Sequence, residues 1–153
     1  MKSLTSLCYI LLFALESSII IDARFGGTKI QGVESKWQDV GSEWKVTIYN
    51  YQRNSVLNVH CKSKDDDLGA RVLETETHFD WSFKINFWQT TLFWCNFNSV
   101  NGYNSFEVFW PEKKFWLSER CDYSNGIWAA FDDGFYLKNV PFKKFERVHT
   151  WKK

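Results

Sequence analysis

The sequence has no cysteine pair spaced C-x-x-C and only three histidines, so the usual spacing of a structural or catalytic metal site is missing. No serine sits in a G-x-S-x-G elbow, no H-E-x-x-H occurs, and there is no glycine-rich phosphate loop. Serine-elbow acyl transfer, zinc-dependent hydrolysis and nucleotide chemistry therefore lack their signatures. His60, His78 and His149 fall into no set with a nucleophile and an orienting group, and a thiol route through Cys61 or Cys95 would need a free thiolate. No catalytic residue, cofactor, metal ligand or nucleic-acid partner is assigned, and a non-enzymatic role is expected. No asparagine is followed at the second position by serine or threonine, which excludes asparagine-linked glycosylation. No stretch keeps a helical period over a useful length.

What is present begins with a targeting pattern. Lys2 precedes an apolar run over residues 7–15, and Ile21-Asp22-Ala23 ends in a small residue, so 1–23 reads as a cleaved secretory signal peptide. Glu16 interrupts the run before it reaches the ~20 residues that span a bilayer, and no second candidate span follows. A secreted, extracellular product that is not membrane-spanning is expected. The remaining chain is long enough for one domain with a sizeable core. Cys8 leaves with the signal. Cys61, Cys95 and Cys121 then enter an oxidising compartment as an odd number, which means one bridge plus a thiol that is free or intermolecular.

Residues 24–42, rich in Gly, Lys, Gln and Ser, read as a flexible N-terminal arm. From 43 to 140 short alternating segments separated by turns predict an all-β fold, an antiparallel β-sandwich of about seven to nine short strands. Residues 44–50 and 57–61 read as one hairpin. Residues 79–97 read as a second, central hairpin, with Phe79, Trp81, Phe83, Ile85 and Phe87 on one apolar face. A short edge strand is expected near 71–76 and another short strand near 115–121. Asp132-Asp133-Gly134 reads as a tight turn. Residues 141–153 read as a basic, loosely held C-terminal tail: residues 138–153 carry six basic and one acidic side chain.

Recognition is expected in the loops of such a scaffold. The first candidate is the segment after residue 61, with Lys62, Lys64, Asp65, Asp66 and Asp67. Three adjacent carboxylates suit a solvated turn whose side chains bond local N–H groups better than a calcium loop, which alternates its ligands and ends in Glu. Gly69 suits a positive-φ exit. The second candidate is the 98–104 turn, with Asn101 and Tyr103. Nine tryptophans raise a separate reading, an apoplastic carbohydrate-binding sandwich, if Trp88, Trp94, Trp110 and Trp116 share one exposed face.

Several blocks together resemble one family. Trp44-x-Val46-x-Ile48-x-Asn50 is followed by Leu57-x-Val59-His60-Cys61-Lys62-Ser63-Lys64-Asp65-Asp66-Asp67-Leu68-Gly69. Trp81-x-Phe83-x-x-x-Phe87, Thr91-Leu92-Phe93-Trp94-Cys95-x-Phe97, Trp128 and Asp133-Gly134-x-Tyr136-Leu137 complete the set. The pattern is similar to the plant self-incompatibility protein family, the S-protein homologues. The resemblance implies a small secreted β-sandwich of plants whose founding members are pistil-side ligands in pollen rejection, and hence a cell-surface receptor or membrane protein as partner. It also implies a fourth cysteine shortly before Trp128, where this chain has Asn125-Gly126-Ile127. Only one intrachain bridge is then possible, and spacing does not select among three pairings. The expectation taken here is Cys95 with Cys121. Cys61 is then free and buried in phase with Leu57 and Val59, and the protein is a monomer.

Overall fold

The computed structural model describes residues 41–112 and 114–153. The expected signal peptide and all but the last two residues of the expected arm lie outside the described residues. The described residues form nine strands and one short helix: β1 (Glu43–Asn50), β2 (Leu57–Lys62), β3 (Asp67–Leu73), β4 (His78–Lys84), β5 (Phe93–Ser99), β6 (Gly102–Phe109), α1 (Trp116–Arg120), β7 (Asn125–Phe131), β8 (Gly134–Asn139) and β9 (Lys144–His149). They form a five-stranded sheet in the order β4-β1-β7-β8-β9 and a four-stranded sheet in the order β3-β2-β5-β6. The all-β sandwich expectation holds. Within it β1 and β7 run parallel, which strands this far apart in sequence can do without a tight turn.

Period-2 alternation puts Trp44, Val46 and Ile48 of β1, Leu57 and Val59 of β2, Phe97 of β5, Trp128 of β7 and Leu137 of β8 into one core. The Trp128 indole crosses between the sheets, its Nε1–H donating to the Val108 carbonyl at 3.0 Å. Two expected hairpins are not hairpins. β1 pairs with β4 and β7 while β2 pairs with β3 and β5, so the chain changes sheets between β1 and β2 and again between β4 and β5. Alternation reports which face is buried and is silent about the partner strand. β4 also stops at Lys84, which leaves Phe87 beyond the strand and outside the core.

The change of sheet after β1 is organised by two fully buried amides. Asn50 Nδ2 donates to the carbonyls of Ser55 and Leu73, and Asn50 Oδ1 accepts from the backbone N–H and the Nε2 of Gln52. Gln52 Oε1 in turn accepts from Asn101 Nδ2 at 2.7 Å. The backbone of Asn50 bonds Glu76 and Thr77, just ahead of β4. The ends of β1, β3 and β4 and the β5–β6 turn thereby meet at one polar knot.

The cysteine pairing differs from the expectation. Cys61 and Cys95 face inward at directly opposed positions of β2 and β5, Cα to Cα 4.0 Å, and are bridged. Cys121 is the buried free thiol at the end of α1, and burial pushes its pKa up. That helix stands where a strand was expected. The Glu112 carboxylate accepts the N–H groups of Leu117 and Ser118 at 2.8 and 2.6 Å, which satisfies a helical first turn.

The expected tail is an edge strand and a clasp. β9 pairs with β8, Trp151 packs at a tilt on Phe135 and donates to the Phe131 carbonyl, and Lys152 bridges to Tyr103 on the other sheet. Gly102 and Gly134, both at positive φ, make room for it, because a Cβ on either would collide with the main-chain oxygen of Lys152 or His149.

Two outcomes follow. Asn50→Ala strands the buried Leu73 carbonyl and the Gln52 amide, and urea denaturation is expected to show a loss of about 3 kcal/mol. Gly126 is buried with ordinary φ, and a Cβ there would lie 3.5 Å from Val46 Cγ2 and 3.8 Å from Cys121 Sγ. Gly126→Cys is therefore expected to close a second bridge with Cys121. Mass spectrometry of a non-reduced digest would detect the linked peptide, and in the chain-entropy view so short a loop adds about 2 kcal/mol.

Candidate recognition site

The β2–β3 turn is built by Ser63 and Asp67. Ser63 Oγ accepts the N–H groups of Asp65 and Asp66, and Ser63 N–H donates to the Asp66 carbonyl. Asp67 belongs to β3 rather than to the loop. Its carboxylate takes His60 Nε2, Lys62 Nζ at 3.0 Å and the Gly69 N–H at 2.9 Å. The His60 bond, with those of Gly69 and Lys62, holds that carboxyl far below the usual range. Lys62 and Asp67 thus serve the sheet, and Lys64, Asp65 and Asp66 are presented to solvent. Gly69 does adopt a positive φ, 76°.

Asn101 and Tyr103 lie elsewhere. β5 is antiparallel to β2, so the β5–β6 turn sits at the opposite end of the four-stranded sheet from Asp65. Asn101 is engaged with buried Gln52, and Tyr103 is exposed at the start of β6. The seven expected loop residues therefore do not converge. The four tryptophans do not share a face either. Trp110 and Trp116 stack on each other against the core with Arg120 over Trp116, Trp94 lies on β5, and Trp88 is in the β4–β5 loop.

That loop holds a feature the strand pattern concealed. Asn86 Oδ1 accepts the Thr90 N–H, Asn86 Nδ2 donates to Thr90 Oγ1, and the Asn86 N–H donates to Thr91 Oγ1. The braced turn lifts Phe87 and Trp88 into solvent, 74% and 78% exposed. It lies at the same end of the sandwich as the Lys64–Asp66 tip, since β5 begins beside Lys62. The usable signal was Asn86 followed by Thr90 and Thr91, a side-chain-capped turn that interrupts the alternation.

The outward side chains of the four-stranded sheet form rows across it. Val72, Asn58, Asn98 and Tyr103 make one, and Ala70, His60, Asn96 and Ser105 the next. A shallow hollow of about 490 Å³ lies over them. Cys61 and Cys95, the thiols weighed for nucleophilic chemistry, are spent in the disulfide. His149 is stacked on Phe106 and Trp128, and burial pushes its pKa down. Among the described residues no group of His, Cys, Asp and Glu is placed to hold a metal, and no helix is long and apolar enough to cross a membrane.

The ion pairs set a pH profile. Glu146 is drawn down to about 2 by Arg120, then Lys144 and Asn139. Asp67 and Asp132 are also lowered, Asp132 by Arg53. A depressed carboxyl stabilises the fold above its unfolded value, about 4, and that contribution vanishes as pH falls toward the folded value. His149, neutral in the fold, adds a shallower loss that begins below about 6.5. Tm is expected to decline gently from neutral pH and steeply below pH ~4, with Asp67→Asn flattening the steep stage.

The family model described as plant self-incompatibility protein S1 matches residues 45–151. The chain is 43% identical to S-protein homolog 1 of Arabidopsis thaliana over 99 residues, 64% of each chain, so that match spans just under two thirds of the relative's length. It is 34% identical to S-protein homolog 24 of the same plant over 137 residues, 89% of this chain and 87% of the relative. A solved structure of a self-incompatibility protein homologue, described as one of a widespread family of small, highly stable, secreted proteins from plants, aligns with a TM-score of 0.56. That alignment has 19% identity and covers 74% of this chain and 97% of the other. A matched family model that begins in β1 and ends in the C-terminal clasp, together with relatives aligned over most of their length, places this chain in the plant self-incompatibility protein S1 family, among the S-protein homologues.

Proposed function

We propose that this chain is a secreted extracellular ligand that acts by binding a cell-surface receptor or other membrane protein, without catalysis, in pollen rejection or another form of cell–cell signalling. Its signal peptide is removed near residue 23. The family supports secretion and the class of protein. The observation that carries the binding reading is the end of the sandwich where one braced turn presents Lys64, Asp65 and Asp66 and another presents an aromatic tip, Phe87 and Trp88. A large exposed indole on a braced backbone suits an interface hot spot, since little order remains to be lost on binding. The protein acts as a monomer, a reading supported by the burial of its remaining described thiol, Cys121, which removes a disulfide route between chains.

Labelled protein is expected to bind plant plasma-membrane vesicles saturably and in a protease-sensitive manner. Trp88→Ser, and separately Asp65→Ala with Asp66→Ala, should each weaken that binding by about tenfold or more. The circular dichroism spectrum and Tm should stay unchanged, because these side chains support nothing inside the fold. Full binding by both variants would remove this end from the interface.

A further inference from the structure

We propose that the outer face of the four-stranded sheet is a second binding site, one that takes a neutral oligosaccharide. This goes beyond the partner reading above and does not depend on it. Across the hollow, Asn58 and Asn98 share one row and Asn96 lies in the next, on two adjacent strands. The side-chain amides of Asn96 and Asn98 make no bond within the described protein, and Asn58, whose Nδ2 donates to the Asn98 carbonyl, keeps its side-chain Oδ1 unengaged. Each amide offers both donors and acceptors, which suits hydroxyl groups that are both. Strand spacing sets neighbouring amides about 5 Å apart and the flanking side chains of β3 and β6 about 14 Å apart, room for two or three sugar rings.

Those flanks are apolar. Val72 is 62% exposed on β3 and Tyr103 52% exposed on β6, and a phenol ring at the border of a polar floor can stack on a sugar face. The amide rows themselves present no free charge to select an ionic ligand. His60 is tied to Asp67, which Lys62 also neutralises, and the Arg71 guanidinium sits over the Phe79 ring of β4. Arg71 lines the hollow without a carboxylate partner, but it opposes inward-facing Val59 and so leaves β3 on the face away from the amides, and no carboxylate lines the hollow for a basic peptide. None of the three asparagines lies in a glycosylation triplet, so a secreted chain keeps these amides bare.

The test is a nuclear magnetic resonance titration of ¹⁵N-labelled full-length secreted protein with hexasaccharides of β-linked glucose, mannose and galactose. Hexagalacturonate and an extended peptide of alternating serine and valine are the comparison probes. At least one neutral hexasaccharide is expected to shift the side-chain amides of Asn58, Asn96 and Asn98 saturably below about 10 mM. Tyr103→Ala, and separately Asn96→Ala with Asn98→Ala, should weaken binding about tenfold, while Trp88→Ser leaves it intact. The Trp88 result separates this site from the receptor-binding end. Absence of any shift with all three neutral sugars overturns the proposal, as do shifts that survive in both variants. Response to hexagalacturonate alone, or to the peptide alone, overturns it in favour of an ionic or a peptide ligand.

Discussion

Two sheets can share a core only if the chain passes between them, and each passage buries backbone groups that lose water without gaining a strand partner. Asn50 and Gln52 solve this for the first passage. Their amides, themselves without solvent exposure, satisfy the carbonyls of Ser55 and Leu73, each other and half-buried Asn101. Because every member is partnered, the network adds specificity rather than a desolvation cost, and it allows one geometry for the ends of β1, β3 and β4. The rest of the sandwich inherits its offset from that knot.

The other ties have distinct roles. The Cys61–Cys95 bridge lies within one sheet, so it stiffens β2 and β5 without joining the layers. Beyond the knot, the layers are joined by the Trp128 indole on the Val108 carbonyl and by the C-terminal clasp of Trp151 and Lys152 over Gly102 and Gly134. With the interior and one end fixed this way, what remains free is peripheral: the β2–β3 and β4–β5 turns at the far end, and the amide-lined outer face of the four-stranded sheet. The recognition proposed for this chain falls on parts of the molecule that the core does not use.

The strands themselves were legible, since Trp44, Val46 and Ile48 or Leu57, Val59 and Cys61 announce their buried face by alternation. Their partners were not. Residues 79–97 contain two good strands, and nothing local says that one joins β1 while the other joins β2. The pairing of Cys61 with Cys95 was hidden for the same reason, as it follows from register between strands. Charge misled at both ends of the domain. The basic run after residue 140 concealed Phe145, Val148 and Trp151, which pack it down, and the three aspartates concealed that Asp67 belongs to a strand. Asn101, a loop residue by sequence, is part of the knot because its hydrogen-bond partner is 49 positions away.

Amide hydrogen exchange at the knot tests this account most directly. If Asn50 and Gln52 join the two sheets into one cooperative unit, the Gln52 N–H, held by Asn50 Oδ1, exchanges only by global unfolding. Its opening free energy then equals that of core amides such as Val59 and follows their dependence on denaturant. A Gln52 amide that exchanges through local opening, at far lower free energy than the core, would contradict the account and leave the two sheets joined by apolar packing, the Trp128 indole and the C-terminal clasp.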